Sequence, residues 1–192
     1  AVRVLLVKEE VAAGQAERPA FRFISRGSPD RIVTYGELSR LTNRFANVLR
    51  SLGIGKGDRL FILSGRIPEL YIAVLGSLKN GTVVSPLFSA FGPEPIATRV
   101  NLGAGKVLVT TDALYERKIA KWRDSMPTLQ HILLVAEDGG RTAVPGTLDL
   151  ATLLDAASAE LEIEPTSEED MSLMHFTSGT TGTPKGAMHV HG

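Results

Sequence analysis

Short apolar runs alternate with amphipathic stretches along this chain, in the order expected for consecutive strands and helices. The clearest stretch begins at Thr34 and Glu37, which form a Thr-x-x-Glu capping box for the start of a helix. Gly53 follows the last apolar position and suits the left-handed conformation in which many helices end. Between these signals, apolar residues recur on one helix face at Leu38, Leu41, Phe45, Val48, Leu49 and Leu52.

The remaining pattern predicts further strands and helices. Residues 20–25 and 31–34 are two short strands separated by turn-forming residues, and they predict a hairpin. The repeat of strand then helix after them favours a parallel sheet with right-handed crossovers, which is an α/β fold with a layered sheet and flanking helices. The other predicted strands are 59–63, 82–86, 106–110, 131–135 and 171–176, and the other predicted helices are 68–79, 93–102, 112–126 and 149–159.

Composition narrows the class of protein. Among the 192 residues, 43% are hydrophobic and 21 acidic residues balance 21 basic ones, which is typical of a globular protein in water. No basic run indicates a nucleic-acid partner, and no apolar run has the roughly 18 residues that a membrane-spanning helix needs. The lack of cysteine excludes disulfides, zinc–thiolate sites and a cysteine nucleophile, and it favours a cytoplasmic location.

An acidic segment precedes the last predicted strand. Residues 160–170 carry six carboxylates around Pro165, a composition that indicates a solvated connector rather than a site. The apolar run 171–176 then predicts a buried strand, and such strands deliver ligand-binding residues at their C-terminal ends.

The segment 177–186 carries the strongest chemical signal of the chain. A polyphosphate needs many hydrogen-bond donors, nearby positive charge and a backbone that small residues leave accessible. Pro184 stands before the lysine of the segment, where a Walker A loop has glycine, so the Walker type is excluded. The predicted ATP phosphate-binding residues are Thr177, Ser178, Gly179, Thr180, Thr181, Gly182, Thr183, Lys185 and Gly186.

This segment resembles the signature loop of the adenylate-forming superfamily, which includes acyl-CoA synthetases, peptide-synthetase adenylation domains and firefly luciferase. Residues 33–38 and 78–86 look like two earlier markers of the same superfamily, in the same order and with similar spacing. The run 86–99 looks most like acetyl-CoA synthetases and close short-chain acyl-CoA synthetases. The likeness extends over nearly the whole chain.

The resemblance implies that ATP activates acetate or a similar short acid as acyl-AMP, and that coenzyme A then displaces AMP. It implies catalytic roles for Lys185 and Thr180 at the phosphates, with Mg²⁺ accompanying ATP. A weaker likeness places Phe88, Ser89 and Ala90 along the coenzyme A channel, although Ser89 and Ala90 stand where the family has Gly-Gly.

The resemblance also implies that residues 1–192 correspond to the first half of a large N-terminal AMP-binding domain. The magnesium-binding Glu, the ribose-binding Asp and the small C-terminal domain with its catalytic Lys are then expected beyond Gly192, so that this chain alone is inactive. Two alternatives remain open. The first is another acyl-CoA synthetase or adenylation domain with a different acid, and the second is a nucleotide-binding fragment without catalysis.

Other candidate features favour structural roles. The glycine-rich segments 53–57 and 103–106 each follow a predicted helix and precede a strand, the reverse of a dinucleotide-binding loop, and so predict turns. His189 and His191 have no third ligand nearby, so no metal site is predicted. His175 and Trp122 are interpreted as core residues.

Overall fold

The structure is a computed structural model that describes residues 9–24, 30–178 and 184–192. The strands are β1 (Pro19–Phe23), β2 (Arg31–Thr34), β3 (Arg59–Leu63), β4 (Val83–Leu87), β5 (Val107–Thr111), β6 (His131–Val135), β7 (Leu148–Asp149), β8 (Met171–Ser178) and β9 (Pro184–Val190). The longer helices are α1 (Tyr35–Ser51), α2 (Pro68–Lys79), α3 (Pro93–Leu102) and α4 (Leu150–Ala156). The predicted bounds of β3, α2, α3 and β6 are confirmed.

The hairpin and the first helix form as predicted. Strands β1 and β2 pair antiparallel, and the Thr34 side chain accepts a hydrogen bond of 3.2 Å from the Glu37 N–H at the start of α1. Gly53 has a φ of +74°, as expected for a left-handed residue just after a helix. Four of the predicted apolar positions are fully buried, whereas Leu41 and Leu52 pack at the edge of the core.

One seven-stranded sheet has the order β7-β6-β5-β3-β4-β8-β9. All of its neighbouring pairs are parallel except β8 and β9, which pair antiparallel. The predicted parallel sheet is therefore confirmed. Strand β9 is an addition that the sequence pattern did not indicate.

Helices cover both faces of this sheet, as predicted. One buried cluster joins α1, α2 and α4 to the sheet, and another joins α3 and residues 112–126 to its opposite face. Helices α1 and α2 approach closely at Gly76, where an added Cβ would lie 2.8 Å from the Cβ of Phe45. No helix in the described part of the chain is long and apolar enough to cross a membrane.

Two predicted helices have different extents. The helix predicted at 112–126 consists of an α-helical turn at Asp112–Leu114, a π-helical turn at Tyr115–Ile119 and a 3₁₀ turn at Ala120–Ser125. Trp122 lies on the 3₁₀ turn, which buries no residue, and is 37% exposed, so its interpretation as a core residue is wrong. The helix predicted at 149–159 ends at Ala156.

Side chains of α1 form hydrogen bonds with the backbone of residues 158–160, where the acidic connector begins. The Asn43 side chain donates to the Ala159 carbonyl at 2.9 Å, and the Asn47 side chain donates to the Ser158 and Glu160 carbonyls at 2.8 Å each. These bonds satisfy backbone carbonyls that lie just beyond the end of α4 and hold this part of the chain against α1. Most of the connector carboxylates are exposed, as expected for a solvated segment.

Candidate functional site

A β-hairpin flanks the centre of the predicted phosphate loop. In its register Thr177 faces Lys185, and the Thr177 Oγ1 lies 3.5 Å from the Lys185 carbonyl oxygen. Thr177, Ser178, Lys185 and Gly186 are therefore strand residues, which corrects their prediction as loop. Thr is β-branched and favours strands, and the ladder of hydrogen bonds extends to both ends of the segment. The predicted phosphate-binding residues Gly179, Thr180, Thr181, Gly182 and Thr183 lie outside the described residues.

The sheet brings this hairpin to the loop that follows β4. Strand β8 runs parallel to β4, with Leu173 opposite Val84, so the C-terminal ends of both strands lie at one edge of the sheet. The Phe176 ring stacks on Phe61 of β3, with 6.1 Å between the ring centres. In open α/β sheets, ligands bind outside this carboxyl edge.

The loop after β4 contains the residues with weak likeness to a coenzyme A channel. Phe88 is 65% exposed, and it packs edge-on against Phe91 with 5.6 Å between the ring centres. The Lys118 ammonium donates to the Ser89 carbonyl at 2.6 Å and to the Phe91 carbonyl at 2.7 Å. Ala90 is exposed. Lys118 thus fixes this loop, a role that sequence reasoning missed because the contact is not local.

A cavity of about 390 Å³ lies between this loop and the hairpin. Arg99 lines it and is only 6% exposed. The described residues of its wall are Phe91, Glu94, Pro95, Thr98, Arg99 and Pro184. Because Pro184 belongs to the segment 177–186, the cavity lies between the two parts of the predicted site.

A larger cavity of about 660 Å³ lies elsewhere, near the ends of β5 and β6. Asp112, Glu116, Glu137 and Asp138 are among the residues that line it. Glu137 accepts a hydrogen bond of 2.8 Å from the Thr111 hydroxyl. Since carboxylates repel phosphates, this cavity suits a polyphosphate less well than the smaller cavity beside Pro184.

The fold does not explain the glycine at position 186. An added Cβ would lie 3.5 Å from the Met174 Cγ and 3.5 Å from the Phe176 Cε1, which are ordinary contact distances. Lys185 beside it is exposed. The surface next to the hairpin therefore leaves room for another group to approach the backbone at Gly186.

The hairpin contains two histidines among the described residues, His175 on β8 and His189 on β9. Among the described residues, no group of three or more His, Asp or Glu side chains could hold a metal ion. His175 is exposed rather than packed in the core, so its interpretation as a core residue is wrong. Burial lowers the pKa of His191, which follows β9.

The sequence was compared with known families and proteins. The model of a family described as AMP-binding enzyme matches residues 8–192. The acetyl-coenzyme A synthetase of Bacillus subtilis (strain 168) is 42% identical in an alignment 166 residues long, which covers 84% of this chain and 28% of that protein. The acetyl-coenzyme A synthetase of Streptomyces coelicolor is 32% identical in an alignment 196 residues long, which covers 97% of this chain and 30% of that protein. The chain thus spans less than a third of the length of these curated relatives.

Solved structures share the fold. An acyl-CoA synthetase of Brucella canis superposes with a TM-score of 0.82 at 28% identity, covering 98% of this chain and 33% of that one. An anthranilate CoA ligase in complex with anthranoyl-AMP superposes with a TM-score of 0.86 at 23% identity, covering 98% of this chain and 34% of that one. The sheet and its flanking helices therefore recur in two proteins of which this chain covers about a third.

Proposed function

This chain belongs to the AMP-binding enzyme family, and on that premise we propose that it serves an AMP-forming acid–thiol ligase that joins acetate to coenzyme A. One observation carries the proposal beyond family membership. The hairpin that flanks residues 179–183 and the loop of Phe88 meet at one edge of the parallel sheet, with a cavity between them. This arrangement supports the proposal, because the segment with likeness to a phosphate site and the loop with likeness to a thiol channel lie at the same edge of the sheet.

The proposed chemistry has two steps because an oxide ion is a very poor leaving group. An acetate oxygen bonds to the α-phosphorus of ATP while the bond from that phosphorus to the pyrophosphate oxygen breaks. The coenzyme A sulfur, having lost its proton, then bonds to the acetyl carbon. The C–O bond to AMP breaks, and AMP leaves with the electron pair. The products are acetyl-CoA, AMP and pyrophosphate.

In this proposal Lys185 and the hydroxyl of Thr180 bind the β- and γ-phosphates. Negative charge grows on the departing pyrophosphate, so donors and a cation held in place stabilise the transition state more than the ground state. Further hydroxyl donors come from Thr177, Ser178, Thr181 and Thr183. The glycines of the segment leave the backbone accessible to the phosphates. The exposed position of Lys185 on β9, opposite Thr177, supports this assignment, since its ammonium is accessible to a ligand at the end of the hairpin.

Magnesium belongs to the proposed reaction as part of the ATP substrate. The described residues include no group of three ligands for a metal ion, so they do not fit a resident magnesium site. We therefore assign no step to a metal held by this chain. The cytoplasmic location indicated by the absence of cysteine is part of the same proposal.

Exchange of labelled pyrophosphate into ATP tests the first step. The product of the complete gene that encodes this chain should catalyse this exchange when acetate is present, and propionate, a longer fatty acid and an amino acid serve as comparison substrates. A preference for another acid would replace acetate in the proposal. If the protein binds ATP but catalyses exchange with none of these acids, the result would favour the alternative of a nucleotide-binding protein without catalysis.

A further inference from the structure

Arg99 is a buried cation without a counterion among the described residues. It is 6% exposed, and none of the ion pairs found in the described part of the chain includes it. Its Nη1 donates to the Pro95 carbonyl at 2.8 Å, and its Nε is buried without a hydrogen-bond partner. A buried charge is costly unless an opposite charge and hydrogen bonds compensate it. An anionic partner from outside the described residues would supply that compensation.

The position of the Arg99 guanidinium is fixed. Its central carbon lies 4.2 Å from the centre of the Phe91 ring, in a cation–π contact. The Phe91 carbonyl is in turn held by Lys118 at 2.7 Å. A guanidinium held in one orientation loses little freedom when it binds an oxyanion, so it is preorganised for such a ligand.

The guanidinium lines the cavity of about 390 Å³ beside Pro184. This volume falls within the roughly 300–1,000 Å³ of typical small-molecule sites. Glu94 is the other charged residue among the described residues of the wall, and it is exposed, whereas Arg99 is buried. Arg99 is therefore the buried charge among the described residues of the wall, and it is positive.

We propose that Arg99 binds a phosphate group in this cavity, between α3 and the first residue of β9. The inference rests on the proposed function, because that function supplies two ligands with phosphates, ATP and coenzyme A. Arginine suits the role since its planar fork of N–H donors matches the oxygens of a phosphate. The Pro95 carbonyl accepts from Nη1, so the ligand would accept from guanidinium donors that this bond leaves unused.

Kinetics of the product of the complete gene test the inference. We expect Arg99→Gln to raise the KM for ATP or for coenzyme A by at least about tenfold, since a hydrogen bond to a charged group contributes about 1.5–3 kcal/mol. A rise for ATP identifies a nucleotide phosphate as the ligand, and a rise for coenzyme A identifies a phosphate of that thiol. Arg99→Lys should restore part of the loss because it keeps the charge.

Arg117 offers a matched control. It also donates to a carbonyl four residues earlier, that of Ala113 at 3.1 Å, but it is exposed and lines no cavity described above. Arg117→Gln should leave both KM values unchanged. If Arg99→Gln also leaves both unchanged, the inference is wrong, even where the variant has a lower melting temperature.

A second variant keeps the test informative if Arg99→Gln fails to fold. Thr98→Glu places a carboxylate in the cavity wall beside Arg99 and leaves Arg99 in place. It should keep or raise the melting temperature while raising the same KM, and an unchanged KM would overturn the inference. A wild-type protein without acid-dependent pyrophosphate exchange would instead refute the proposed function, so the two failures are distinguishable.

Discussion

Lys56 and Asp170 form an ion pair, with 2.6 Å between the Lys56 Nζ and the Asp170 Oδ2. Lys56 lies in the turn after α1, and Asp170 is the last residue before β8. The same ammonium donates to the Pro165 carbonyl at 3.1 Å. The pair therefore holds the end of the acidic connector at the place where the strand leading to the phosphate segment begins.

This pair predicts a pH dependence. The hydrogen bond from Lys56, followed by that from the Ser167 N–H, lowers the pKa of Asp170 from 3.8 to about 2. Because the pKa is lower in the folded state, ionised Asp170 stabilises the fold above about pH 4, and this contribution is lost as the pH falls towards 2. Lys56→Gln should raise the pKa of Asp170 towards its ordinary value, as measured by NMR titration of the carboxyl carbon. Lys106→Gln, which removes the partner of Asp58, is the control and should leave Asp170 unchanged.

Gly76 should tolerate no side chain at the contact of α1 with α2. An alanine Cβ there would lie 2.8 Å from both the Phe45 Cβ and the Thr42 carbonyl oxygen. Gly76→Ala should therefore lower the free energy of unfolding in urea by about 1–3 kcal/mol, the usual cost of overpacking. Gly55→Ala is the control, because an added Cβ at Gly55 meets nothing within 4 Å. Equal stability of the two variants would contradict the close approach of the helices.

Gly186 should be needed for the ligand and not for the fold. Since an added Cβ would make only ordinary contacts in the protein, Gly186→Ala should leave the melting temperature unchanged. If the backbone of Gly186 contacts a phosphate, the added Cβ should obstruct that contact and weaken one ordinary hydrogen bond. The KM for ATP should then rise about three- to tenfold. A variant with wild-type KM would remove Gly186 from the proposed site.

Lys118 should act as a positioning residue for the loop after β4. Lys118→Met removes two charge-assisted hydrogen bonds, to Ser89 and Phe91, and should increase hydrogen exchange across residues 88–92. If this loop lines the thiol channel, the KM for coenzyme A should rise about tenfold. Lys118→Arg should retain much of the wild-type value, and Lys121→Met, at an exposed position, should retain all of it. A KM that does not change in Lys118→Met would separate the loop from coenzyme A binding.

The local parts of the fold could be predicted from the sequence. Thr34 and Gly53 mark the two ends of α1, because helix caps act on neighbouring backbone groups. The apolar runs of β3 and β6 are strands whose side chains are buried on both faces of the sheet. Strand β9 has no such signal. It contains Lys185, Gly186 and His189, and it is a strand because β8 pairs with it.

The candidate site was only partly predictable, because some of its residues depend on contacts between parts of the chain that are distant in sequence. The residue types and spacing of glycine, threonine and lysine in 177–186 predict phosphate binding from the sequence. Arg99 and Lys118 had no local signal, since their roles depend on contacts with Phe91 and the loop after β4. The burial assigned to His175 and Trp122 was wrong because periodicity cannot show which neighbouring element covers a side chain.

The central claim is that the segment 177–186 binds the pyrophosphate end of ATP during formation of acetyl-AMP. The most direct measurement is acetate-dependent exchange of pyrophosphate into ATP by the product of the complete gene, with wild type, Lys185→Arg and Lys185→Ala compared at saturating acetate. Loss of one preorganised donor typically lowers the rate by about 10² to 10³. We predict a fall of that size for Lys185→Ala and a smaller fall for Lys185→Arg, both with unchanged melting temperature. An exchange rate for Lys185→Ala equal to that of the wild type would contradict the claim.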